Sequence, residues 1–297
     1  YAALEGAQRE YNIRLAGGQS RYAYNLGNYF ELQGLLEKAG QYYYDATRVE
    51  PSLASAHFKL GHVLERLGNS IGAENAYRQA LALRPELIPA NIGMARIHFL
   101  NRNDFLAVDQ LEQVLSWEPN HYEARLYLAR VHEANRRYDQ ALELLETGLE
   151  YHASNPYYRL ELGKLLQQTA QGQAALEAFE YAANHSLETR TPRSPKETAS
   201  LKSEAYYSMA KIRLESQEAD LAEALLKQAI EIMPHHSRAL LESARLAFEG
   251  GDKSRCELRL DQLASLPEAI RPPRERVESV LSSTEWRSLV ERAFRAE

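Results

Sequence analysis

The chain has 297 residues and a formal net charge of −6, with an isoelectric point near 5.9. That balance excludes a generally basic nucleic-acid binder, and the apolar runs are far shorter than a bilayer span, which predicts a soluble chain without membrane insertion. Cys256 is the only cysteine, so neither a disulfide framework nor a cysteine-based zinc site can form, and a buried structural thiol is expected.

The chain opens at Tyr1 without a Met or a signal peptide, which points to an excised fragment or a processed form, cytoplasmic or periplasmic. Residues 1–19 form a first segment in which Leu4, Ala7, Tyr11 and Leu15 recur at helical spacing before Gly17 and Gly18 stop the helix over Ala2–Leu15. From Ser20 a repeat sets in. Leu26, Gly27, Phe30, Ala39, Tyr43, Ala46 and Pro51 reappear 34 residues later as Leu60, Gly61, Leu64, Ala73, Tyr77, Ala80 and Pro85. Each unit reads as two antiparallel helices joined by a tight turn. Gly27 and Ala39 lack bulk where the backbones approach, and Tyr43 fills the adjacent space.

These landmarks resemble the tetratricopeptide repeat, a helix–turn–helix of 34 residues with small, aromatic, small and closing-proline positions. The pattern continues through Ala95, Ala107, Leu111 and Pro119, then Ala129, Ala141 and Leu145, then Gly163, Ala175 and Phe179. The resemblance implies an all-α, right-handed superhelical solenoid of about seven repeats with terminal capping helices. The array covers 20–267, with repeats near 20–53, 54–87, 88–121, 122–155, 156–187, 203–236 and 237–267.

The step from Gly163 to the next matching small residue, Ala210, is 47 residues against 34 elsewhere, so 13 have been added, near 188–202. Thr191–Pro195 reads as a loop, and Ser194 followed by Pro195 and Glu197 spells a capped helix start near Pro195. Residues 268–297 leave the pattern: after Pro272 and Pro273, the stripe Trp286, Leu289, Val290, Ala293 and Phe294 fits a helical cap on the last apolar face.

No phosphate loop, dinucleotide fingerprint, zincin motif or hydrolase elbow occurs, so the chain is read as non-enzymatic, with no cofactor. His235 and His236 read as a solvated turn, and His98 and His132 as packing residues. Asn184–Ser186 is a glycosylation sequon by spelling only.

In proteins of the resembled family the first helix of each repeat lines the concave groove. The residue after each Gly27-type position is Asn28, His62, Arg96, Arg130, Lys164, Lys211 and Arg245, so five of seven are basic in an acidic chain. Three residues on, the column reads Glu31, Glu65, Phe99, Glu133, Gln167, Leu214 and Phe248, and acidic compensation fades. Beside it runs an apolar column of Tyr24, Phe58, Ile92, Leu126, Leu160, Tyr207 and Leu241, which packing within each repeat would equally explain. Together they describe a basic rail for a protein or peptide segment with acidic and apolar residues. Arg96, Arg130, Lys164, Lys211 and Arg245 supply the charge, and Phe99, Tyr207 and Phe248 the anchors.

The chaperone-tail clamp of this family is rejected: Asn28 matches, but Tyr24, Lys59, Pro89 and Gly93 stand where its other residues belong. The expectation is a partner-binding scaffold that assembles or localises a complex. Two alternatives stay open: the recruiting region of a larger enzyme, and a self-assembling unit stacking through Trp286 and Phe294.

Overall fold

The computed structural model describes residues 20–185 and 195–294, all-helical apart from turns. The expected helix over Ala2–Leu15 and the loop before Pro195 lie outside the described residues. The chain divides into two compact units, 1–144 and 145–297.

The first unit holds α1 (Ser20–Leu32), α2 (Leu36–Val49), α3 (Ala54–Arg66), α4 (Ser70–Leu83), α5 (Ile88–Leu100), α6 (Asp104–Trp117), α7 (Tyr122–Ala134) and the start of α8 (Tyr138–Tyr151). α1 packs on α2, α3 on α4 and α5 on α6, and each second helix packs on the first helix that follows it. The crowding predicted at the small positions is real. Tyr77, fully buried, lies so close to two backbones that a Cβ on Gly61 would meet its ring at 2.7 Å and one on Gly93 at 2.5 Å. One aromatic side chain thus fixes the approach of α3 within its own repeat and of α5 in the next.

The second unit continues with α9 (Pro156–Gln168), α10 (Gly172–Asn184), α11 (Pro195–Glu215), α12 (Ala219–Ile232), α13 (Ser237–Glu249) and α14 (Lys253–Ala264), then α15 (Arg274–Glu278) and α16 (Thr284–Phe294). α9 packs on α10, α11 on α12 and α13 on α14. α11 begins at Pro195 and has 21 residues where α9 and α13 have 13, so much of the added sequence lengthens a helix. Cys256 is fully buried in the last repeat, and burial together with Glu257 and Asp252 pushes its thiol up to about 11.

α15 and α16 close the second unit. Val277, Trp286, Leu289 and Val290 are buried in one core with Leu240, Leu260 and Leu263, and Trp286 Nε1 donates to the Val277 carbonyl at 2.9 Å. Trp286 is fully buried inside its own chain, so its ring is not a surface for end-to-end stacking.

Every first-to-second-helix turn of the described repeats uses one left-handed residue in the same column: Gly34, Gly68, Arg102, Arg136, Ala170, Gln217 and Gly251, with φ between 58° and 77°. In the first of these turns Gly34 N–H donates to the Glu31 carbonyl and Leu35 N–H to that of Phe30. This bonding caps the first helix and reverses the chain.

Candidate partner-binding surface

In the first unit half-buried carboxylates form a ladder that Arg96, one of the candidate cations, joins. Tyr43 of α2 donates its hydroxyl to Glu31 of α1 at 2.6 Å and also lies 2.7 Å from the Asn28 side-chain oxygen. From α3, Lys59 Nζ reaches Glu31 at 3.0 Å, His62 Nδ1 at 3.0 Å and Arg66 at 3.7 Å. Burial pushes the Glu31 carboxyl up, but the hydrogen bonds from His62, Tyr43 and Lys59 outweigh it and hold the group at about 2.

One repeat later the pattern returns. Tyr77 donates to Glu65 at 2.6 Å, and Arg96 of α5 clasps the same carboxylate through two bonds of 2.8 Å. Arg96 also reaches Glu123 at 3.4 Å. Burial alone would raise Glu65 and lower Arg96; the paired fork reverses both, lowering Glu65 and raising Arg96. Arg96 therefore ties two repeats together. Its guanidinium also stands 5.5 Å from the centre of the Tyr127 ring, and that of Arg130 stands 5.4 Å from it. Phe99 is half-buried against the core formed by Ile92, Leu111 and Leu128.

In the second unit Lys164 pairs with Glu161, one turn before it, at 3.3 Å, and Arg245 pairs with Glu242 at 2.9 Å and Glu249 at 3.1 Å. Tyr207 is only 8% exposed and is covered by His236, ring centres 5.1 Å apart, and by the Arg238 guanidinium at 4.9 Å. Phe248 packs edge-on against Trp286 at 5.5 Å. These two aromatics serve the core of the unit. Glu204 accepts from His236 and Arg238; burial pushes it up, but these partners and the nearby charge of Lys164 hold it at about 2.

His236 is not a solvated turn residue. Its Nδ1 accepts the Ala239 N–H at 3.1 Å and caps α13, while Nε2 faces Glu204 at 3.2 Å, which fixes the tautomer protonated on Nε2. His121 caps α7 in the same way through the Ala124 N–H at 3.3 Å, and Asn155 in the same column caps α9. His132 is buried, and burial lowers its pKa, as it does for His98. Among the described residues no three His, Cys, Asp or Glu side chains converge on a point that could hold a metal.

Lys211 differs from the other candidates. It is exposed, and it makes no ion pair with a described residue. The column that supplies Glu65 to Arg96 supplies Gln167 here, and Gln167 bonds instead to Glu215 at 3.2 Å. Glu31 and Glu65 stand in the acidic column that the sequence shows, but their partners lie in the next repeat, and Glu161, Glu204 and Glu242 lie outside that column. The offsets that matter are 31 residues between consecutive repeats, as in Glu65 to Arg96, and three residues backward, as in Glu161 to Lys164. Tyr127, three before Arg130, falls under the same backward offset.

No described helix is long and apolar enough to cross a membrane. A search of curated proteins finds none that matches this sequence. Solved structures share its fold at low identity. The pilF protein of Pseudomonas aeruginosa is 18% identical with a TM-score of 0.58, over 74% of this chain and 94% of its own. A tetratricopeptide repeat protein of Parabacteroides merdae is 16% identical with a TM-score of 0.63, over 92% of this chain and 98% of its own. Yeast Tom70 is 12% identical with a TM-score of 0.68, over 99% of this chain and 58% of its own. Tetratricopeptide repeat models match residues 106–165 and 213–266, and a second model of that description matches 54–87. With paired helices, aromatic-on-glycine packing and repeat matches in both units, the chain belongs to the tetratricopeptide repeat family.

Proposed function

We propose that the chain is a non-enzymatic scaffold whose first-helix faces hold a segment of a partner protein, and that it assembles or localises a complex through that contact. The tetratricopeptide repeat is in general a protein-interaction fold, which supports the first part. The observation that carries the rest is that Lys211 has no ion pair among the described residues: Gln167 stands where Glu65 stands for Arg96. An exposed ammonium in that setting offers an ion pair to a carboxylate of a partner.

On this reading the candidate cations divide by role. Arg96 and Arg245 hold their own chain together. Lys211, with Lys164 on the preceding first helix α9, faces the partner in the second unit, and Arg130 with Tyr127 offers a cationic and aromatic contact in the first. Phe99, half-buried against the core of the first unit, adds apolar surface, while Tyr207 and Phe248 support the second unit from within its core. The partner segment carries acidic and apolar residues.

The test is affinity capture from the native cell with crosslinking, carried out on the chain and on a Lys164→Glu/Lys211→Glu variant. The proposal expects crosslinks from the captured partner to fall on α9 and α11, and the capture to be lost in the variant. A partner captured equally by both forms would overturn it.

A further inference from the structure

In the first unit the turns between first and second helices gather at one edge. α3 packs beside α5 and α5 beside α7, so the ends of these helices line up. Arg66 at the end of α3 reaches Glu31 near the end of α1 at 3.7 Å, and Asn135 after α7 donates to Asp104 at the start of α6 at 2.9 Å, which sets neighbouring turns side by side. This edge carries apolar side chains that the core does not use. Leu32 and Leu100 end α1 and α5, Ile71 and Phe105 stand second in α4 and α6, and all four are 65–85% exposed. Among the described residues no other large apolar side chain is more than 54% exposed, so the strongest apolar exposure is concentrated in one place.

Cations stand among them. Arg102, Arg136 and Arg137 occupy the turns after α5 and α7; they are exposed and make no ion pair or side-chain hydrogen bond with a described residue. The carboxylates of the same edge are Glu37, Asp104 and Asp139, against Lys38, Arg66 and these three arginines, so the edge is net basic in an acidic chain. The turn does not dictate this composition. In the second unit the column of Arg102 and Arg136 continues as Ala170, Gln217 and Gly251, and that of Ile71 and Phe105 as Gln173, Asp220 and Ser254. The four apolar side chains project from turns and helix ends, so a rigid partner would need a separate pocket for each. A fluid acyl layer under anionic headgroups takes them without such complementarity, and cations at the same level meet the headgroup charge.

We propose that this edge of the first unit docks on a membrane surface that contains anionic phospholipid, with no helix crossing the bilayer. Leu32, Ile71, Leu100 and Phe105 enter the headgroup boundary, and Arg102, Arg136 and Arg137 pair with the anionic headgroups. A few apolar tips bind a bilayer reversibly and surface cations are screened by salt, so the contact needs both and is released when either is removed. It uses neither Lys164 nor Lys211, the residues assigned to the partner segment in the second unit.

The experiment sediments the full chain with vesicles of phosphatidylcholine alone and of phosphatidylcholine with about one quarter phosphatidylserine. Binding to the anionic vesicles is expected, at least about tenfold tighter than to the neutral ones and weakening as salt rises. Ile71→Ser/Phe105→Ser is expected to lose this binding with its melting temperature unchanged. Arg102→Gly/Arg136→Gly is expected to weaken it at least about tenfold while keeping or raising the melting temperature, because glycine is at ease in the left-handed turn. A merely structural role would not give that split. The Lys164→Glu/Lys211→Glu variant should bind the vesicles as the unaltered chain does. No binding to anionic vesicles, equal binding to neutral ones, or undiminished binding by either of the two edge variants would overturn the proposal. So would self-association of the unaltered chain in solution that Ile71→Ser/Phe105→Ser abolishes, which would assign the edge to a second copy of the chain.

Discussion

At the scale of single residues, Glu31 shows how the fold uses charge. Burial pushes its carboxyl up, but His62, Tyr43 and Lys59 hold it at about 2, well below its ordinary 4.5. A depressed carboxylate contributes stability that is fully present above its unfolded value and is lost as pH falls toward the folded one. The junction of the first two repeats should therefore weaken between about pH 4.5 and pH 2, and Glu204 should weaken the second unit over the same window. Thermal melting from pH 7 to pH 2 checks this: Glu31→Gln should cost about 1–3 kcal/mol at pH 7 by breaking a largely buried bonded charge, and should flatten the acid limb. An acid limb as steep as that of the unaltered chain would refute the assignment. His236 gives a second residue-scale prediction. His236→Ala should cost about 1 kcal/mol by uncapping α13, while His236→Asn, which keeps an acceptor at the N-cap, should recover most of it. Equal melting temperatures for the two variants would refute the cap.

At the scale of elements, the turns and the cap carry the account. The left-handed column is glycine at Gly34, Gly68 and Gly251 but Arg102, Arg136, Ala170 and Gln217 elsewhere. A non-glycine residue pays steric strain in that region, about 1 kcal/mol, so Ala170→Gly is expected to stabilise the α9–α10 hairpin by about 0.5–1 kcal/mol in denaturant titration. A loss of stability would contradict the turn geometry. Trp286 belongs to the cap, fully buried and bonded to the Val277 carbonyl. Its replacement by alanine should cost about 3–5 kcal/mol and detach α16, read as loss of hydrogen-exchange protection there, with no change in oligomeric state by light scattering. Dissociation of an oligomer in that variant would restore the stacking alternative.

At the scale of the whole molecule, what the sequence made legible follows from what stacking demands of each position. Gly61, Gly93 and Tyr77 can be read from a 34-residue period because close backbone approach admits few residue types. The start of α11 at Pro195 is legible because proline suits a first helical position. The charge partners were not. Glu65 meets Arg96 only because the first helix of one repeat lies beside that of the next, a register that no local window contains, and surface charges tolerate many arrangements. His236 was misread because two adjacent histidines after a proline look solvated, whereas the chain turns one of them inward as a cap.

The central claim is that Lys211, left without the carboxylate that serves Arg96, meets a carboxylate of a partner protein beside Lys164. It is tested most directly by measuring the partner's affinity across ionic strength for the unaltered chain and for Lys164→Glu/Lys211→Glu. The account predicts an affinity that falls as salt rises in the unaltered chain, and in the variant one at least about tenfold weaker at low salt and nearly independent of salt. Equal affinities with the same salt dependence would contradict it.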